Sequence, residues 1–224
     1  MKKIIIFISF FLISLSKAVS LEKDIFFTFG PNLLLNTGDK TKSAPSPVMY
    51  SFGIGGDFYP DFYTKKNILF QAKASFFTNY YLWDGEDARP AEVENRTATA
   101  LSAIIDLGCG KSWILGQNQD NIISLSGGIG LLIRYGILSN GVSPDEPNRD
   151  GFSTASEDVR DINGSFYKKL RFLYPELAFS YSHRLSEIWK VGLETRTYIP
   201  VGSLIFGDGI DGMIFSLALK LSYK

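Results

Sequence analysis

From residue 24 onward the chain alternates bulky apolar residues with small or polar ones, two residues to the period, in eight separate segments. The first sets Ile25, Phe27, Phe29, Leu33 and Leu35 against Asp24, Thr28, Gly30, Asn32 and Asn36. The second sets Val48, Tyr50, Phe52, Ile54 and Phe58 against Ser51, Gly53, Gly55 and Asp57. In the third, Ile68, Phe70, Ala72, Ala74 and Phe76 oppose Gln71, Lys73, Ser75 and Asn79; in the fourth, Leu101, Ala103, Ile105, Leu107 and Cys109 oppose Ser102, Asp106, Gly108 and Gly110. The fifth runs from Ile123 to Tyr135, with Ser124, Ser126, Gly128, Gly130 and Arg134 on its small or polar face. The sixth carries Leu173, Leu177, Phe179 and Tyr181 opposite Glu176, Ala178, Ser180, Ser182 and Arg184. The seventh carries Trp189, Val191, Leu193, Ile199 and Val201 opposite Lys190, Gly192, Glu194 and Arg196. The last carries Phe215, Leu217, Leu219, Leu221 and Tyr223 opposite Ser216, Ala218, Lys220 and Ser222. This is the period of strands.

A soluble antiparallel sheet with one wet face also alternates, so the chemistry of the two faces decides. The apolar face is large and aromatic in all eight segments, and the other is glycine, serine and alanine mixed with charges of both signs. A soluble barrel needs the bulk inside, and no amphipathic helix is expected as a cover. A bilayer resolves the conflict: the bulky face meets lipid and the small polar face lines a narrow interior. Backbone groups in hydrocarbon must all pair, so the sheet must close. The fold expected is all-β: a closed, antiparallel, eight-stranded transmembrane β-barrel, the last segment pairing with the first. Ten strands remain open, because residues 136–169 are long enough to hold a further hairpin. Connections alternate in length: residues 37–47, 83–96, 136–169 and 202–212 are long, whereas 60–67, 115–121 and 185–187 are shorter. Short turns belong to the periplasmic side and long loops to the outside.

The N-terminus fits this placement. Lys2 and Lys3 precede an apolar run from Ile4 to Leu15, and Ser16-Lys17-Ala18 offers small residues for cleavage. That run is about 12 residues, short of the ~20 that a spanning helix needs. Residues 1–18 are expected to be a signal peptide and 19–224 the barrel domain. Lys+Arg and Asp+Glu number 23 each, so losing Lys2, Lys3 and Lys17 leaves a formal charge of −3. That balance excludes nucleic acid as a partner. The single cysteine, Cys109, cannot form an internal disulfide.

Inside an eight-stranded barrel there is room for side chains and little else. The lumen is expected to hold Asp57, Asp106, Glu176 and Glu194 against Lys73, Arg134, Arg184, Lys190, Arg196 and Lys220. Both signs in a narrow space should pair and plug the barrel; a narrow ion path is the alternative. Phe26, Phe77 and Phe172 interrupt the polar face. If clustered at the outer mouth they would line an apolar pocket; if dispersed they would favour a plug. Tyr59, Tyr63, Tyr80, Tyr81, Trp83, Trp113, Trp189, Tyr198 and Tyr223 are expected at the lipid–water boundaries, with Tyr80, Tyr81 and Trp83 the alternative site for a sugar.

The chain resembles the small bacterial outer-membrane barrels of the OmpA, OmpX and OmpW kind, in pattern over residues 19–224 and most specifically in its last strand. Ser216, Ala218, Leu221 and Tyr223 stand where the resemblance implies the signal read by the barrel assembly machinery. Two positions depart: Ala218 replaces a glycine, and Lys224 follows the final aromatic. The resemblance implies the outer membrane as location, and outer-membrane lipid and that machinery as partners. It also implies a structural, adhesion or host-interaction role through the long loops, toward a host surface ligand. The alternative is a channel for small, even hydrophobic, solutes. Some barrels of this size are lipid A deacylases, but those use His-x-Ser. Here the only histidine, His183, lies in His-Arg-Leu-Ser at the periplasmic end, so no enzyme activity is expected. His183 is expected to pack at the interface beside Tyr181 and Trp189. No phosphate loop, metal-ligand cluster or cofactor motif is present. The outer loops are acidic: residues 84–96 hold five acids and two bases, and residues 136–169 six acids and four bases.

Overall fold

The computed structural model describes residues 21–36, 47–60, 67–91, 98–116, 120–147 and 153–224. Residues 1–18 and Tyr63 lie outside these. Nine strands follow in order: β1 (Leu21–Leu34), β2 (Val48–Pro60), β3 (Ile68–Trp83), the short β4 (Ala88–Ala91), β5 (Ala98–Leu115), β6 (Asn121–Ile137), β7 (Leu173–Arg184), β8 (Trp189–Tyr198) and β9 (Ile214–Tyr223). All strands except β4 form a ring of antiparallel neighbours, closed by the β1–β9 and β2–β3 pairings. The barrel therefore has eight strands. The β6–β7 connection holds a helix, α1 (Ala155–Ser165), and a 3₁₀ turn (Lys168–Leu170) in place of the further hairpin that ten strands require.

The register fixes the shape. Partner by partner, Lys23 leads through Phe58, Phe70, Cys109, Gly127, Leu177, Thr197 and Phe215 back to β1 at Leu33, ten residues above the start. Such a stagger goes with strands tilted by roughly 35–45° and an interior that side chains fill. The two faces sort as the alternation predicts. Phe29, Tyr50, Leu107, Tyr135, Leu177 and Leu219 are among many exposed apolar residues on the outside, while Thr28, Ser51, Asp106 and Lys220 are buried within. A girdle pair is visible at the periplasmic end, where Trp189 and Tyr223 meet edge to face at 5.0 Å.

Three sequence expectations need correction. Tyr81 and Tyr198 are not girdle residues: both point inward and are buried. The seventh alternating segment, now β8, stops at Tyr198 short of Ile199 and Val201, and Val201 starts a short helix, α2 (Val201–Phe206), after Pro200. A helix with one buried face does exist: Thr154 and Glu157 form a reciprocal capping box that starts α1, and Ala155, Asp158, Ile162 and Ser165 are its buried residues. It covers the mouth of the barrel and leaves the lipid face bare.

The position of α1 follows from an uneven rim. β6 pairs with β5 up to Ile137, but its last partner on β7 is Leu173, opposite Leu131. Residues 132–137 therefore present a free edge, and unpaired edges are not tolerated at membrane depth. Side chains from α1 and its C-terminus close it. Leu132 N–H donates to the Phe172 carbonyl at 2.8 Å. The Tyr167 hydroxyl accepts from Arg134 N–H at 3.1 Å and donates to its carbonyl at 2.6 Å. Asn163 does the same for Gly136, accepting at 2.8 Å and donating at 2.9 Å. Asn163 and Tyr167 are one helical turn apart and so take the place of a strand.

Candidate functional site

The lumen is stacked in layers. At the periplasmic end Lys190 pairs with Asp24. Above it, Lys220 binds Asp57 at 2.7 Å and lies 4.0 Å from the Phe26 ring centre, while Gln71 Nε2 donates to Asp57 at 2.7 Å. The next layer centres on Arg196, a fully buried guanidinium. It reaches Glu176 at 2.5 Å, Glu194 at 3.2 Å and Asp106 at 3.6 Å, and also donates to the Gln71 side-chain oxygen. Lys73 holds Glu194 at 2.7 Å, and the Tyr198 hydroxyl donates to Asp106 at 2.9 Å. Gly108 and Gly128 leave room for the Glu176 carboxylate: a Cβ on Gly128 would come within 2.9 Å of it.

Above the charges lies an apolar disc. Leu34, Met49, Phe77, Ile104, Leu132, Tyr174, Tyr198 and Ile214 form one buried cluster, one side chain from each of the eight barrel strands. Phe77 belongs to this disc, Phe26 lies below it, and Phe172 is half-buried apart from the disc, beside Tyr167, with ring centres 6.5 Å apart. The three are dispersed.

The mouth itself is closed by a folded cap. Ile162 and Phe166 pack against Tyr81, Ala88, Ala98 and Ala100, and Phe166 meets Tyr81 edge to face at 4.8 Å. Tyr81 thus faces the cap, so Tyr80, Tyr81 and Trp83 do not form an outward platform. Arg134 rises from β6 beneath the cap. It donates to the Tyr81 hydroxyl at 2.9 Å and to the carbonyls of Phe166 at 3.2 Å and Arg171 at 2.8 Å, with its guanidinium 4.4 Å from the Phe166 ring centre. A cation at the C-terminal end of a helix is favourably placed.

Ion pairs latch three outer loops together over this packing. Arg89 reaches Asp84 at 2.9 Å and Asp211 at 3.4 Å; Arg171 reaches Asp87 at 2.9 Å and Asp208 at 3.2 Å. Partial burial works against the ionised Asp84 carboxylate, but N–H donation from Asp87, the Arg89 side chain and N–H donation from Glu86 outweigh it and lower its pKa. A carboxyl group with a lowered folded-state pKa stabilises above its unfolded value, about 3.9, and loses that contribution as pH falls through the folded value. Amide protection in residues 84–91 and 208–212, taken relative to intrinsic exchange at each pH, is accordingly expected to fall below about pH 4, while the strands stay protected.

Of the ten predicted lumen charges, Asp57, Lys73, Asp106, Glu176, Lys190, Glu194, Arg196 and Lys220 lie in these ion pairs. Arg134 and Arg184 do not. Arg134 turns up to the cap, as the carbonyls there are its partners. Arg184 makes no ion pair among the described residues and lines a cavity of about 450 Å³ at the periplasmic mouth with Asp24, Tyr59 and Lys190. Sequence reasoning missed Asp24 and Gln71 as partners, although both stood on the polar face. Of the last-strand positions, Ser216 and Ala218 point inward, and Leu221 and Tyr223 outward. His183 is exposed, with Nδ1 3.0 Å from the Asn121 side-chain oxygen, to which Tyr181 also donates. Trp189 packs on Tyr223.

A closed eight-stranded barrel with an apolar belt and a filled lumen has the fold of the small bacterial outer-membrane β-barrels, and the belt makes it membrane-spanning. No family model and no curated protein matches the sequence. Among solved structures the chain is similar to Neisserial surface protein A, with a TM-score of 0.53 and 7% identity over 92% of this chain and 99% of that one. A looser match is the attachment invasion locus protein of Yersinia pestis, solved with the heparin analogue sucrose octasulfate. Its TM-score is 0.48, with 7% identity over 91% of this chain and 98% of that one. At such identity the likeness is one of fold.

Proposed function

We propose that the protein is a non-conducting outer-membrane barrel with a structural or interaction role, which presents its folded cap to a partner outside the cell. The observation that carries this is the apolar disc, one buried side chain from every barrel strand, lying above a layer of ion-paired charges and beneath a latched cap. An ion would have to cross a dry constriction, where dewetting blocks conduction. The cap, by contrast, is ordered by a helix, an apolar cluster and ion pairs, and ordering a surface before contact lowers the cost of binding. In this proposal residues 1–18 are removed on export, and Ser216, Ala218, Leu221 and Tyr223 are read during assembly. The partner class is an external surface ligand, such as a host-surface molecule. Planar-bilayer recording of the refolded protein tests it. A silent baseline at both polarities is expected, and resolved unitary currents would overturn the plug.

A further inference from the structure

An exposed apolar patch on the β8–β9 connection has no part in the lumen or the latch. α2 presents Leu204, Ile205 and Phe206 at 50%, 63% and 50% exposure, and Ile210 follows at 45%. Consecutive exposed apolar residues are unfavourable in water unless something covers them. The segment is held firmly. Gly202 sits so close to the 3₁₀ turn that a Cβ there would lie 2.1 Å from the Lys169 carbonyl oxygen. Asp208 N–H donates to the Ser203 carbonyl at 2.8 Å, and the Asp208 side chain pairs with Arg171 at 3.2 Å.

The barrel wall is low on this side. β6 carries exposed Tyr135 and Ile137 well above its last β7 partner, whereas β7 begins only at Leu173 and β8 ends at Tyr198, opposite Ile214. α2 follows β8 directly and packs on β7 and the 3₁₀ turn, which puts its exposed apolar residues at the rim where these strands have stopped. Beside it the same 3₁₀ turn exposes Lys168 and Lys169. Apolar residues flanked by lysines suit a membrane interface, with the lysines toward lipid phosphates.

We propose that α2 is a lipid contact: Leu204, Ile205 and Phe206 enter the acyl region of the outer leaflet and complete the belt on the low wall, while Lys168 and Lys169 meet lipid phosphate groups. This rests on the membrane-spanning barrel. The test is spin labelling of the full mature chain in vesicles of phosphatidylcholine and phosphatidylglycerol. Labels go on Ile205→Cys and Phe206→Cys in a Cys109→Ser background. Native Cys109, exposed on the belt, is the lipid reference, and Gly164→Cys on α1 is the water reference. At 205 and 206, collision with oxygen is expected to exceed collision with a water-soluble nickel complex, as at Cys109. Nickel dominating at 205 and 206, as at 164, would overturn the proposal and leave the patch to a soluble partner. Access by neither reagent would overturn it in favour of cover by this chain or a second copy. Nickel access at Cys109 itself would instead sink the barrel placement. Lys168→Gln with Lys169→Gln should lower the oxygen-to-nickel ratio at 206, and more in the anionic vesicles than in pure phosphatidylcholine, where choline offsets the phosphate charge; an unchanged ratio in both would overturn the phosphate contact.

Discussion

Replacing Arg196 with methionine is expected to destabilise the barrel by about 3–5 kcal/mol, the cost of stranding buried charges whose partner is removed. Among the described residues, Arg196 is the one cation that touches Glu176, Glu194 and Asp106 together. Without it, Lys73 and Lys220 remain near Glu194, but Glu176 loses its only ion-pair partner among the described residues. Methionine keeps much of the volume, so the loss reports charge more than packing. Urea unfolding of the refolded protein in lipid, followed by the gel shift between folded and boiled forms, measures it. Glu176→Gln in the Arg196→Met background should recover part of the loss, because it removes one stranded charge. Arg160→Met on the outer face of α1, where the side chain is 76% exposed, should stay within ~0.5 kcal/mol. A small effect at Arg196 with no recovery would mean that water, not the arginine, satisfies the carboxylates.

The strands were legible because lipid imposes a strong contrast between the two faces, so parity alone assigned nearly every side chain. Parity also held the apolar disc in plain view: Met49, Ile104, Leu132 and Ile214 all stand at inward positions. What hid it was the vertical dimension. Each strand contributes a single residue, and only the ten-residue stagger shows that Leu34 near the end of β1 and Met49 near the start of β2 share a level with Tyr198. The same stagger explains why Arg134 left the charge layer. It lies one inward position above Leu132 of the disc, out of reach of the carboxylates below. The helix in the long loop had a readable start, Thr154 with Glu157 three residues on. Its role did not, because the Asn163–Gly136 and Tyr167–Arg134 bonds depend on where β7 begins. Those bonds exist to finish an edge that a longer β7 would have covered.

Arg134→Ala should then release the cap and leave the barrel standing. The guanidinium ties β6 to the end of α1, to Arg171 and to Tyr81 at once. Hydrogen bonds to a charged group are worth roughly 1.5–3 kcal/mol each, a large share of what a segment of this size can gain from docking. Apolar contacts of Ile162 and Phe166 remain in the variant, as do the edge bonds of Tyr167 to the backbone of residue 134. The expected result is therefore local: amide protection falls in residues 158–171, the strands below the disc keep theirs, and the heat-dependent gel shift persists. Bilayer recordings should stay silent, since the disc lies beneath the cap and does not include Arg134. Asn163→Ala should loosen the same region by another route, exposing Gly136 to exchange. If the α1 amides stay protected in Arg134→Ala, the apolar cluster alone holds the cap. If currents appear, the seal is the cap and not the disc.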